Sequence, residues 1–174
     1  MEADMPPTQA LTWAEIDLDA IAFNAAGLKA RAGGQAELMV TVKANAYGHG
    51  AVPVARAALE GGATRLAVHR VLEGVQLRQA GITAPILVMG YTLPAASERV
   101  VRWDLTPTVN SQSQAEALSA AAMDAGKPLS VHVRVDTGMG RYGLLPDEAL
   151  DFVRFLDGLP GLVLEGLYTH YAVA

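Results

Sequence analysis

Residues 37–50 read ELMVTVKANAYGHG, an apolar run that ends in a single lysine and passes into a polar turn with two glycines. Leu38 to Val42 is filled with apolar and β-branched residues and closed by a turn signal, which predicts a short buried strand. Strand side chains alternate, so Met39, Thr41 and Lys43 share one face and Val40, Val42 and Ala44 the other. Backbone geometry thereby fixes Lys43 at a strand end. An amine held there, partly shielded from water, can act as a nucleophile or form a Schiff base with an aldehyde. The plainer role is a lysine that reaches solvent along its aliphatic stem.

Working outward, residues 1–11 read as a Pro-containing lead-in and 12–174 as a single domain. Thr12 to Leu18 alternates as a strand, and Asp19 is placed to cap a helix through Ile21, Phe23, Ala25 and Leu28 that stops at Gly33-Gly34. Beyond the lysine, the pattern predicts helices over about 51–59, 71–80, 95–101, 112–125 and 147–156, the last opened by Pro146. Strands are predicted over 66–68, 86–89, 105–109, 129–135 and 162 to about 171. Strands alternating with helices and no hairpins give an α/β protein with a parallel sheet and right-handed crossovers. From Lys43 onward there are six strands, whereas a closed (β/α)8 TIM-type barrel has eight and usually takes about 250 residues. The expectation is an incomplete barrel of about six βα units, the N-terminal part of a longer protein.

Composition narrows the chemistry. The 174 residues are 51% hydrophobic and include no cysteine, which excludes disulfides and thiolate metal sites. His49, His69, His132 and His170 are scattered, with no paired ligand spacing, so no metal is expected. A net charge of −5 without basic clusters argues against nucleic-acid binding. The N-terminus is acidic where a secretory signal is basic, and no stretch supplies the roughly 18 apolar residues of a membrane span. A cytoplasmic protein is the default.

Two further segments carry chemistry. In strand 129–135, Val131, Val133 and Val135 form one face and His132, Arg134 and Asp136 the other; valines against the outer helices turn the polar set into the barrel. Directly after comes Asp136-Thr-Gly-Met-Gly-Arg141, whose glycines permit a tight turn and whose arginine offers a planar fork for a carboxylate or phenolate oxygen. An arginine paired with Asp136 is the structural alternative. Gly138-Met-Gly140-Arg-Tyr-Gly143 also fits the dinucleotide fingerprint, with Glu165 roughly 20 residues on. That site needs a helix starting within the glycine run, and Leu144-Leu145-Pro146 delays the helix to Asp147. The last strand puts Gly166, Tyr168 and His170 on one face, where a lone histidine is ordinarily a satisfied core residue.

Lys43-Ala-Asn-Ala-Tyr47-Gly-His-Gly50 resembles, position by position, the cofactor-lysine signature of the alanine racemases, pyridoxal-phosphate enzymes built from a barrel and a β-domain. Asp136-Thr-Gly-Met-Gly-Arg141 and Glu165-Gly-Leu-Tyr-Thr-His170 resemble two more of their segments, and the likeness runs from Trp13-Ala-Glu-Ile-Asp17 to Ala174. The resemblance implies that Lys43 carries pyridoxal phosphate and, once freed, is the base on the D-alanine face. It places Tyr47 beside the cofactor phosphate, Arg141 on the cofactor's phenolic oxygen and the substrate carboxylate, and His170 near the pyridine ring, and gives His49 no chemistry. It further implies interconversion of L- and D-alanine for peptidoglycan by a homodimer, with the N-terminal strand joining a C-terminal β-domain.

In that family the second base is a tyrosine of the partner subunit's C-terminal domain. It lies beyond Ala174, as do most phosphate-binding groups and the residue facing the pyridine nitrogen, so this chain is expected to hold half a site and to be inactive alone. One departure stands out. Family members commonly have a lysine, often carbamylated, where this chain has Arg134, and a guanidinium stays protonated. Two cations facing one interior then call for an anion, a bound chloride or Asp136. The alternatives are a non-catalytic pyridoxal-phosphate carrier of the same barrel fold and a broad-specificity amino-acid racemase.

Overall fold

The computed structural model describes residues 12–173; the lead-in over 1–11 lies outside the described residues. The first element is α1 (Leu18–Ala32), capped by Asp17, whose Oδ1 accepts the Ala20 N–H at 2.9 Å. The cap expected at Asp19 therefore sits two residues earlier, and Asp19 falls in the first turn, where its charge suits the helix N-terminus. Residues 12–17 form no strand. Alternation supplies a face but not a neighbour, and a strand needs a partner for its N–H and C=O groups.

The βα repetition holds from there. β1 (Met39–Thr41) leads into a single helical turn, α2 (Lys43–Tyr47), and α3 (Ala51–Glu60). Then follow β2 (Arg65–Val68), α4 (Val71–Gln79), β3 (Ile86–Tyr91), a 3-10 turn over Pro94–Ala96, α5 (Ser97–Arg102) and β4 (Thr106–Val109). The chain continues through α6 (Gln112–Asp124), β5 (Leu129–Val135), α7 (Pro146–Asp157) and β6 (Leu162–Thr169). All neighbouring strands are parallel and in chain order, β1 to β6. Among the described residues the sheet does not close: it is the expected incomplete barrel. Pro107, with no N–H to donate, falls where the register of β3 and β4 slips between Val88 and Tyr91.

The core lies between the sheet and its helices. Val42, Leu66, Val68, Ile86, Val88, Val109, Val131 and Val133 point outward from the strands onto Val54, Leu77, Val100, Leu105, Leu118 and Leu156. Leu66, Leu77, Ile86, Leu105 and Leu118 are fully buried, each stabilising the fold by about 1.5–3 kcal/mol. Packing is close enough that Gly61, at the end of α3, touches α1: a Cβ there would lie 2.3 Å from the Ala22 carbonyl oxygen.

The opposite sheet face is polar. At the entry ends of the strands, Arg65 on β2 bridges Glu37 and Glu165, 2.5 and 3.0 Å away, and Glu165 also meets His132 Nε2 at 3.2 Å. Glu165 reaches this face because β5 and β6 slip register there: Val131 pairs Leu164 and His132 pairs Gly166. Gly166 leaves the room that the His132 ring occupies, since a Cβ would sit 2.9 Å from its Cε1. No helix of the described residues is long and apolar enough to cross a membrane.

Candidate active site

Lys43 lies one residue past β1, with the intervening Val42 fully buried and its own side chain turned to the polar face. The turn that follows is left-handed: Ala44, Asn45 and Ala46 have φ/ψ of 50/49, 56/44 and 51/49, and Tyr47 has φ 56. Each non-glycine residue in that conformation costs roughly 1–2 kcal/mol, so the turn needs support. Asn45 supplies some, its Oδ1 accepting the Ala51 N–H at 2.8 Å and its carbonyl the Gly50 N–H at 2.9 Å. His49 supplies more, donating from Nδ1 to the Ala46 carbonyl at 2.9 Å. The rest comes from α4, where Glu73 Oε1 accepts the Ala44 N–H at 2.7 Å. Glu73 Oε2 accepts the His69 and Arg70 N–H groups at 2.7 and 2.8 Å. Burial works against the charged Glu73 carboxylate, but the N–H groups of Arg70, Ala44 and His69 together outweigh it and hold its pKa below the ordinary glutamate value. Tyr47, 61% exposed, has its ring centroid 5.8 Å from Lys43 Nζ.

The second segment is the loop after β5. The Asp136 carboxylate gathers the loop's backbone: Oδ1 accepts the Gly138 and Gly140 N–H groups, both at 3.0 Å, and Oδ2 accepts that of Arg141 at 2.9 Å. Those bonds, Gly140 and Gly138 foremost, hold its pKa at about 2. Asp136 therefore builds the loop that presents Arg141 and does not neutralise a guanidinium, which overturns both its expected use as a counter-ion and the Arg141–Asp136 ion pair. The helix after this loop begins at Pro146, beyond the glycine run, as the rejection of a dinucleotide site required.

Arg134 is buried, 6% exposed, on the polar face as expected. No carboxylate faces it among the described residues. Instead its guanidinium carbon lies 5.6 Å from the Tyr142 ring centroid and 6.0 Å from that of Tyr168. Two aromatic faces lie against the guanidinium, and its charge is not balanced by a carboxylate among the described residues. Burial and the neighbouring Tyr168 push the Tyr142 hydroxyl up to about 12, against the pull of Arg134. The Tyr168 hydroxyl shares a 2.9 Å hydrogen bond with Thr108 Oγ1, while Tyr142 Oη and Arg134 Nε are buried without a partner.

These groups meet in one cavity of about 460 Å³ at the exit ends of the strands. Lys43, Tyr47, Arg141 and His170 all line it, although they come from three strand ends, those of β1, β5 and β6. His49 does not, in keeping with its work inside the turn. Sequence reasoning missed His69, Met89, Tyr91 and Tyr142 as cavity walls and Glu73 as the support of the lysine turn. What brings His69 to Lys43 is the β1–β2 register, in which Met39 pairs Arg65 and Thr41 pairs Ala67, and the sequence carries no signal of it. A second cavity of about 280 Å³ under α1 has mainly apolar walls and shares Tyr47 and Thr41 with the first.

Residues 16–174 match the family model described as alanine racemase, N-terminal domain. The chain belongs to the alanine racemase N-terminal domain family. Among sequences, this racemase-family domain is 48% identical over 163 residues to an alanine racemase of Desulforamulus reducens, covering 93% of the chain and 44% of the relative. Among solved structures, it is similar to the Clostridium difficile alanine racemase in complex with cycloserine, with TM-score 0.90, 40% identity, and coverage of 95% of this chain and 46% of that one. It is also similar to the Bacillus anthracis alanine racemase with bound L-Ala-P, with TM-score 0.84, 43% identity, and coverage of 92% and 42%. The racemase-family domain thus spans less than half the length of the relatives it matches.

Proposed function

We propose that this chain carries the cofactor side of a pyridoxal-phosphate-dependent racemase that interconverts L- and D-alanine. The observation that carries the reading is the convergence of Lys43, Tyr47, Arg141 and His170 on one cavity at the exit ends of parallel strands, where barrel enzymes keep their chemistry. The cavity suits the cofactor: its volume lies within the ~300–1,000 Å³ of small-molecule sites, and it offers one amine and two guanidiniums. The buried, unpartnered Arg134 Nε and Tyr142 Oη add donors with no protein acceptor.

Bound in the site, pyridoxal phosphate supplies an electron sink for the charge left on the amino acid's α-carbon. The residues do the rest. Lys43 holds the cofactor and, once free, takes and returns the α-proton on the D-alanine face. Arg141, with its guanidinium clear of any carboxylate among the described residues, holds the substrate carboxylate or the phenolic oxygen in its planar fork. Tyr47 and His170, which line the same cavity, would serve the cofactor's phosphate and pyridine ring. Racemisation needs a second base on the opposite face, and we place it, with most phosphate contacts, in a homodimer partner's further domain, outside these residues.

The test is borohydride fixation of pyridoxal phosphate to the purified chain, with the modified residue found by peptide mapping. Label confined to Lys43 and lost in Lys43→Ala is expected, with no D-alanine formed from L-alanine by the chain alone. Scattered label overturns the cofactor assignment. Steady D-alanine production, abolished by Lys43→Ala, overturns the division of the site between domains.

A further inference from the structure

The left-handed turn after Lys43 is braced from within by Asn45 and His49, but the peptide plane that joins Lys43 to Ala44 is held from outside. Its N–H points to Glu73 Oε1 at 2.7 Å, across 29 positions of sequence. This bond has no part in capping a helix. Capping of α4 is done by the other oxygen, which takes the Arg70 N–H at 2.8 Å and, beside it, the His69 N–H at 2.7 Å. One half-buried carboxylate therefore fastens together the two chain segments that leave β1 and β2 at Lys43 and His69, register neighbours that line the same cavity.

Fixing that plane fixes ψ of Lys43, and with it the direction in which the lysine leaves the backbone. Ala44 is also the first residue of the turn with positive φ, so a plane free to rotate would relax toward right-handed geometry and carry Lys43 with it. Three N–H donors converge on two oxygens, a demand that only a carboxylate of this length meets. Glutamine keeps one acceptor and turns an NH2 group toward an N–H. Aspartate keeps both acceptors but is shorter by one methylene, enough to reach the helix start and not Ala44.

We propose that Glu73 is a positioning residue for Lys43, setting the amine's direction and so its reaction with an aldehyde ligand. The ligand named, pyridoxal phosphate, rests on the function proposed above, and the backbone argument does not.

The experiment compares the full 174-residue chain with Glu73→Asp and Glu73→Gln. The first readout is pyridoxal-phosphate titration, followed by visible absorbance and by borohydride fixation at Lys43. The second needs no cofactor: competitive acylation of Lys43 by acetic anhydride, scored against Lys29 and Lys127 within the same chain. Thermal unfolding reports the helix cap. Glu73→Asp is expected to unfold within a few degrees of the parent yet to raise the pyridoxal-phosphate dissociation constant about tenfold or more and to change the Lys43 acylation ratio several-fold. Glu73→Gln is expected to show the same Lys43 changes together with a lower unfolding temperature. An acylation ratio and a cofactor affinity equal to the parent's in both variants overturn the proposal. Should the parent itself take up no cofactor at Lys43, the functional reading fails and the acylation ratio alone decides the role of Glu73.

Discussion

Asp136 and Arg141 are joined through the backbone: the aspartate carboxylate accepts the Arg141 N–H at 2.9 Å and leaves the guanidinium free of any carboxylate among the described residues. Because folding lowers the Asp136 pKa from 3.8 to about 2, its hold on the loop is complete above pH 3.8 and is lost as the pH falls through about 2. Asp136→Asn removes one of the two acceptor oxygens at every pH. Amide hydrogen exchange at Gly138, Gly140 and Arg141 is expected to quicken about tenfold at neutral pH, the worth of one hydrogen bond. Unchanged exchange at Arg141 would refute the role given to Asp136.

Gly143 closes the same loop at φ +135, and a Cβ there would lie 2.8 Å from the Asp136 nitrogen. Both the backbone angle and the contact oppose a side chain. Gly143→Ala is expected to cost about 2–3 kcal/mol in denaturant unfolding and to weaken pyridoxal-phosphate uptake by displacing Arg141.

At Gly61 the objection is contact alone, since φ is an ordinary −74. An added methyl meets the Ala22 carbonyl oxygen at 2.3 Å and Ala25 Cβ at 2.8 Å, which forces α1 away from α3. Gly61→Ala is expected to destabilise the chain by about 1–3 kcal/mol. Stability equal to the parent's would mean that α1 is not seated on α3.

Glu165 ties β6 to β2 through Arg65 and to β5 through His132. The Arg65 hydrogen bond is the main cause that lowers its pKa from 4.5, burial opposing. The contribution is therefore present above pH 4.5 and lost as the pH falls through the depressed value. Glu165→Gln is expected to be less stable than the parent by up to about 1 kcal/mol at pH 7, the weight of a solvent-screened ion pair. The two unfolding curves converge under acid, and a difference that persists there would rule out the ionic cause.

Strand and helix order was legible because most strands are short apolar or alternating runs and most helices have a cap, a starting proline or a glycine stop, all local signals; α5, between Ala96 and Trp103, has neither cap nor glycine. Thr12 to Leu18 alternates but forms no strand within this domain, because alternation is local whereas pairing needs a neighbour, and the neighbour expected for it is a further β-domain. Lys43, Tyr47, Arg141 and His170 were legible through motifs. Glu73, His69 and Tyr142 were not: Glu73 acts on the turn of the preceding βα unit, and His69 and Tyr142 line a cavity whose other walls come from other units.

By itself, the sequence determined the parallel βα order, the strand-end position of Lys43 and the glycine loop that carries Arg141, because each depends on residues within one turn or strand of one another. Only the tertiary structure decided what surrounds them. Asp136 spends its charge on backbone N–H groups, Arg134 lies against two tyrosine rings, and Glu73 reaches across to the lysine turn. Those choices depend on which strand ends the parallel sheet sets side by side, and no local pattern records that neighbourhood.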